Sequence, residues 1–297
     1  PGRKFRVALW SSGGVGYLAD QRVTPRERAN RFAHRFAVRY LNDAVVTGPP
    51  KLADEYRQRY KLPARKLILG CNDVSINSWS ALANEPEVEL PDGYADWLAA
   101  PHKLLYLHGV DRIRGADQLP EIMSSVSKSF PNAKLLVVGD GPLDGELTPR
   151  TDTVCVGRVS NSAAAAIVSR ADCMLVPSRQ EGFPRVLLEA MALGVPPAVF
   201  DVGGCREVLG VRLAELVAQP GDVTDFARAV IGALKMVEDP NFREQLKSRA
   251  AEFDTPAVAR GLALALRTLA SGDVNAATWL ARAYWGQVFS KGRGIGS

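Results

Sequence analysis

The sequence predicts an α/β protein built on parallel sheets, and three observations carry that expectation. From Lys103 onward, short apolar runs alternate with amphipathic stretches of helical length, the rhythm of strands joined by crossover helices. The loops after those runs are rich in glycine and proline, which punctuate strand-to-helix turns. Of 297 residues, 46% are hydrophobic and 23% charged, which is ordinary globular usage.

The elements follow in order. Phe5–Trp10 is a short apolar run entering Ser11-Ser12-Gly13-Gly14, and it reads as a strand and a loop. Pro25–Tyr40 has a helical period, with Phe32, Phe36 and Tyr40 on one face and Arg28, Arg31, Arg35 and Arg39 on another. Asp43–Thr47 and Lys66–Gly70 read as strands, with a polar helix at Lys51–Tyr60 between them. Asn72–Pro101 has no sustained periodicity and reads as an interdomain linker. Strands are then predicted at Leu104–Leu107, Lys134–Val138, Thr153–Val156, Cys173–Val176 and Pro197–Phe200. Helices are predicted at Ala116–Phe130, Asn161–Ser169, Pro184–Leu193, Cys205–Leu209, Val223–Val237, Asn241–Phe253, Pro256–Ala270 and Asn275–Phe289.

Composition excludes several classes. No apolar run approaches the ~18 residues of a membrane span; Val186–Phe200 comes nearest and is cut by Glu189, Pro196 and Pro197. The four cysteines lack CxxC spacing and only three histidines are present, so a zinc finger is excluded and reduced thiols in a cytoplasmic setting are expected. There is no signal-peptide pattern, and the chain does not begin with Met, which reads as an internal start or a processed form. The net charge of +5 conceals an asymmetry. Residues 1–70 hold fifteen Lys/Arg against five Asp/Glu, whereas the remainder is net acidic. That split points to an anionic partner for the first segment, or to a merely solvated basic face.

In an open parallel sheet, ligands bind beyond the carboxyl ends of the strands. Four loops there carry chemistry. His108–Gly115 supplies Arg112 and Arg114 with Gly109 and Gly115; guanidinium forks suit phosphate oxygens. Gly139-Asp140-Gly141-Pro142 allows close approach of backbone to a ligand, but its glycine spacing is one residue off the dinucleotide fingerprint. Gly157-Arg158-Val159 could offer backbone to a flat base, or be a plain turn. The most informative is Pro177–Gly194, PSRQEGFPRVLLEAMALG. Pro184 suits a first helical turn and Gly194 a helix end. Glu181 therefore lies in the loop and Glu189 little more than a turn inside the helix. Carboxylates accept from paired hydroxyls, and free N–H groups at a helix start suit phosphates; the plainer reading makes Glu181 a surface acid and Glu189 a cap. Gly203-Gly204 follows the next strand as a further backbone-exposing turn.

The order GxxxxRG, VGDGP, PSxxEGFPxVLLEAMAxG and VGGxxEV resembles the retaining glycosyltransferases of family 4 (group 1), which have the GT-B fold. The resemblance covers residues 103–255, with DAVVTGPPKLADEYRQRY and LILGCND before it similar to the end of the family's N-terminal domain and its hinge. It implies two Rossmann-like parallel-sheet domains, the N-terminal one incomplete and the C-terminal one complete. The expected divisions are a partial acceptor-side domain at 1–71, a hinge at 72–101, a nucleotide-sugar domain at 102–255, and helices at 256–297 that cross back to the first domain. A rival reading makes Arg6–Leu18 the first strand and its glycine loop.

The resemblance also implies roles. Glu181 would meet the donor sugar, and Arg114, in place of the family's lysine, would meet the diphosphate. Gly109, Gly115, Gly139, Gly141, Gly182, Phe183, Pro184 and Val186 would line the donor. Gly157, Arg158 and Val159 would hold the base, and Glu189 the ribose hydroxyls. The family's Gly-Arg is here His108-Gly109, so Arg112 is the candidate to replace the lost arginine. No D-x-D occurs, and neither metal nor cofactor is expected beyond the nucleotide-sugar co-substrate. Expected partners are that donor, a saccharide or lipid-linked acceptor of cell-envelope type, and an anionic membrane surface through Arg28, Arg31, Arg35 and Arg39. This places the chain in the cytoplasm, peripheral to the inner face of the membrane. Trp279 and Trp285 are expected to be buried where the last helices cross back. The alternatives are an inactive nucleotide-sugar-binding fragment, or a non-enzymatic anion- or nucleic-acid-binding protein. No nucleic-acid motif appears, so nucleic acid is not expected.

Overall fold

The apolar runs become two parallel sheets in a computed structural model, which describes residues 7–11, 24–147 and 150–291. The first sheet holds β1 (Ala8–Ser11), β2 (Ala44–Thr47) and β3 (Leu67–Leu69), in that order, with Ala8 opposite Ala44 and Val45 opposite Leu67. Between its strands run α1 (Pro25–Phe36), which continues into a wide π-helical turn at Ala37–Leu41, and α2 (Pro50–Tyr60). Val38, Leu52, Tyr56 and Tyr60 close a small core over Val45 and Leu67. The glycine loop expected after Phe5–Trp10, and most of the rival Arg6–Leu18 segment, lie outside the described residues.

The period of Pro25–Tyr40 indicated a helix but not which face is covered. Phe32 is 73% exposed, Phe36 47% and Tyr40 58%, so this stripe does not pack inward as an apolar face ordinarily would.

Residues 72–101 are not a bare linker. They hold two short helices, α3 (Ile76–Ala83) and α4 (Tyr94–Leu98). Each is secured by an indole: Trp79 Nε1 donates to the Glu189 carbonyl at 3.0 Å, and Trp97 Nε1 to the Leu104 carbonyl at 2.7 Å.

The second sheet comprises β4 (His102–Leu107), β5 (Ala133–Val138), β6 (Thr153–Cys155), β7 (Cys173–Val176), β8 (Pro197–Phe200) and β9 (Val217–Ala218). All are parallel, in the order β6-β5-β4-β7-β8-β9. The connecting helices are α5 (Leu119–Val126), α6 (Asn161–Arg170), α7 (Arg185–Ala192), α8 (Cys205–Leu209) and α9 (Val223–Met236). β5, β7 and β8 are almost wholly buried, and so is the centre of β4 at Leu104–Tyr106, as expected of strands covered on both faces. From β4 the chain builds outward to β6, then returns to β7 on the other side. That reversal opens a crevice between the carboxyl ends of β4 and β7, where doubly wound sheets bind ligands.

Three helices follow: α10 (Pro240–Ala251), α11 (Thr255–Ala270) and α12 (Val274–Lys291). α12 reaches the first sheet, where the Thr278 hydroxyl donates to the Arg65 carbonyl at 2.6 Å. Trp285 is fully buried, but Trp279 is 67% exposed and is not the packing anchor expected. Among the described residues, no helix is long and apolar enough to cross a membrane.

Candidate donor site

The β4–β7 crevice is walled by the two loops that the sequence marks out. After β4, Tyr106 Oη donates to the Gly109 carbonyl at 2.7 Å, and Asp111 Oδ1 accepts from the Arg114 N–H at 2.7 Å. These bonds coil the loop so that the Arg114 side chain turns toward β7. Gly115 has φ +76° and lies against the Pro177 carbonyl, where a Cβ would collide. The two loops can therefore approach only if this residue is glycine.

After β7, the chain passes through Ser178–Phe183 into α7. Pro184 precedes the first helical residue, and Gly194 at φ +74° lets the chain leave the helix. Gly203 supports the loop from behind: its φ is +53°, and a Cβ would run into the Glu181 carbonyl.

Glu181 sits at the focus of this arrangement. It is 8% exposed, and one oxygen, Oε1, accepts from Arg114 Nη1 at 2.5 Å and faces His108 Nε2 at 3.5 Å. Burial pushes its pKa up, but the contact from His108 and the Arg114 guanidinium outweigh burial and hold it below the ordinary carboxylate value. His108 Nδ1 accepts from the Gly109 N–H at 3.0 Å. In the neutral ring the proton therefore belongs on Nε2, the nitrogen that faces Glu181. Arg114 Nη1 also donates to the Gln180 carbonyl at 3.3 Å. Among the described residues, no other protein acceptor engages its guanidinium, so the rest of the fork is available to an anion.

Beside this cluster lies a cleft of about 630 Å³, lined by His108, Gly109, Gly139, Arg158, Val159 and Glu189 together with residues of α3. Five of the residues predicted to bind the donor, Gly109, Gly139, Arg158, Val159 and Glu189, thus line one cleft. Glu189 differs from Glu181: among the described residues its carboxylate has no hydrogen bond or ion pair. Burial raises its pKa, with Arg185 pulling the other way.

Other predicted residues lie elsewhere. Arg112 turns outward, 68% exposed at its side chain, toward Asp117 at 3.7 Å and Glu146 at 3.4 Å. It does not stand in for the missing arginine beside Glu181. Phe183 is a core residue, packed at steep ring angles against Phe253 and Phe289, so only its backbone can serve a ligand, and its carbonyl is already held by Asn72 Nδ2 at 2.6 Å. Gly115 and Gly141 act by allowing loops to meet, Gly141 against Val110. Gly157 lends its carbonyl to the Gly139 N–H at 2.8 Å. Gly182 accepts from the Gly204 N–H at 2.7 Å. Pro184 and Val186 frame the start of α7 without lining the cleft.

The sequence reading does not single out three residues of the cleft. His108 is the residue that interrupts the family's Gly-Arg, and that departure was itself the signal. Arg185 stands four residues before Glu189 on one helical face. Trp79 belongs to the segment read as linker.

Comparison with known proteins agrees with this geometry. The family model described as "Glycosyl transferases group 1" matches residues 101–236. Those residues are a group 1 glycosyltransferase domain. The chain is 25% identical over 246 residues to an alpha-D-kanosaminyltransferase of Streptomyces kanamyceticus, covering 79% of this chain and 62% of that one. It is 24% identical over 235 residues to a glycogen synthase of Mycobacterium tuberculosis, covering 75% and 53%. The chain therefore spans roughly half to three-fifths of the length of these relatives. Among solved structures, a sucrose-phosphate synthase from Thermosynechococcus elongatus superposes with a TM-score of 0.67 at 23% identity, covering 90% of this chain and 68% of that one. The fold is of the GT-B type, as the motif order implies.

Proposed function

We propose that the chain transfers a sugar, with retention at the anomeric carbon, from a nucleoside-diphosphate donor to a hydroxyl of a saccharide or lipid-linked acceptor. The observation that carries this reading is the division of labour between two carboxylates. Glu181 is buried, locked to Arg114 and held below the ordinary carboxylate pKa, while the Glu189 carboxylate lines the adjoining cleft with no hydrogen bond or ion pair among the described residues. Glu189 suits the paired hydroxyls of a ribose. The free part of the Arg114 fork suits the diphosphate, whose charge grows as the bond to the sugar breaks. Glu181 then lies where the sugar meets that diphosphate. In this reading the leaving charge is met by Arg114 and the start of α7, with no role for a metal. Titration with UDP, GDP and ADP tests it: one of them should bind, and binding should depend on Glu189.

The acceptor side has its own feature. Exposed Phe32, Phe36, Tyr40 and Leu41 lie among exposed Arg28, Arg35 and Arg39. Aromatic bulk flanked by arginine suits an anionic bilayer surface, and such a surface at the inner face of the membrane would bring a lipid-linked acceptor within reach. Sedimentation with phosphatidylglycerol vesicles should pull down the wild-type chain at low salt. Phosphatidylcholine vesicles should not, and Arg28→Glu with Arg35→Glu should abolish the binding. Equal sedimentation of wild type and variant would remove this surface from the account.

A further inference from the structure

The cleft beside Glu189 has a second wall that does not come from the group 1 domain's sheet. α3 packs across α6 and α7, and Ser75, Ser78, Trp79 and Leu82 line the cleft together with Gly139 and Val159. Trp79 is the large ring on that wall. It is only partly buried, and its Nε1–H is held by the Glu189 carbonyl at 3.0 Å, which fixes the edge of the indole on the same turn of α7 that carries the Glu189 carboxylate. The lining also includes the apolar Leu107, Val138 and Val159, the glycines Gly109 and Gly139, and the polar Asp140, Arg158 and Asn161. The cleft thus carries an indole next to Glu189, with apolar side chains and glycine backbone elsewhere in its lining.

We propose that Trp79 is the platform against which the base of the nucleotide lies, making it an affinity- and base-determining residue supplied by the segment between the two sheets. This rests on the nucleotide-sugar reading above. A purine or pyrimidine ring has a π-face to offer an indole, whereas the diphosphate does not, so the residue should act on the nucleoside and not on the phosphates.

The test is calorimetric titration of the intact chain with UDP, GDP, ADP and inorganic pyrophosphate, for wild type, Trp79→Ala and Trp79→Phe. The nucleotide that binds wild type should lose roughly tenfold or more in affinity with Trp79→Ala, stay close to wild type with Trp79→Phe, and pyrophosphate binding should be unchanged in both. Where the alanine variant does not fold, Trp79→Leu, which keeps apolar bulk without a π-face, should show the same nucleotide-selective loss. Undiminished nucleotide binding in Trp79→Ala or Trp79→Leu would overturn the proposal. So would a Trp79→Phe variant as weak as Trp79→Ala, because the indole N–H would then be acting by holding α7. A parallel loss of pyrophosphate affinity would overturn it too. If wild type binds none of the three nucleotides, the donor reading itself fails and this role falls with it, an outcome distinct from a failure confined to the variants.

Discussion

Glu181→Ala is expected to lower turnover of the cognate sugar donor by about 10²–10³-fold, the usual cost of removing one preorganised electrostatic group from an active site, while leaving nucleotide affinity close to wild type. The asymmetry follows from position. Glu181 is buried beside Arg114 and His108 and does not line the cleft that holds Glu189. Stability should fall as well, because Arg114 loses its carboxylate partner, although a side chain 31% exposed can recover part of its hydration. The pH dependence has a definite sign. The folded-state pKa of Glu181 is depressed, so its contribution to stability is present above the unfolded pKa and is lost as pH falls through the folded one. Glu181→Gln should remove that acid sensitivity, and acid-unfolding curves of the two proteins would show it. A variant with full turnover, or one that loses nucleotide binding as severely as turnover, would contradict the assignment.

Arg114→Ala should cost turnover on a similar scale, about 10²–10³-fold, but for a different reason. In the proposed reading it removes the cation that meets the leaving diphosphate, and it also takes the guanidinium from buried Glu181, leaving His108 and Ser178 beside it. With that cation gone, burial acts on Glu181 with less opposition, so its pKa should rise. Affinity for a nucleoside diphosphate should fall more than affinity for the corresponding monophosphate. Arg114→Lys should recover part of the binding, since it keeps the charge, but less of the turnover, since an ammonium cannot hold Glu181 and a phosphate with one planar fork. Steady-state kinetics with the cognate donor, together with di- and monophosphate titrations, separate these effects. Identical losses for the two nucleotides would argue against contact with the diphosphate.

Much of this arrangement was legible because its signals are local. Pro184 and Gly194 bracket α7 in the chain itself, which is enough to place Glu181 outside the helix and Glu189 within it. The alternation of apolar strand and amphipathic helix from Lys103 onward likewise survives as the parallel sheet. What was not legible depends on contacts between distant residues. α3 and α4 hold only eight and five residues, too short to establish a period, and they are secured by indole hydrogen bonds to Glu189 and Leu104 that no local pattern announces. Arg112 and Arg114 look equivalent in sequence. Only the coil set by Asp111 and Tyr106 sends one to Glu181 and the other to Glu146. The stripe of Phe32, Phe36 and Tyr40 has the right period for a helix, but periodicity does not say whether anything covers it, and here the rings stay exposed.

The central claim is that the cleft beside Glu181 binds the nucleotide of a sugar donor and that Glu189 is its ribose acceptor. The most direct test is calorimetric titration of the intact chain with UDP, GDP and ADP, with and without EDTA, alongside Glu189→Ala. One of the three should bind wild type equally well in EDTA, and Glu189→Ala should abolish that binding or weaken it severely. Binding of none of the nucleotides, or of one of them undiminished in Glu189→Ala, would contradict the account.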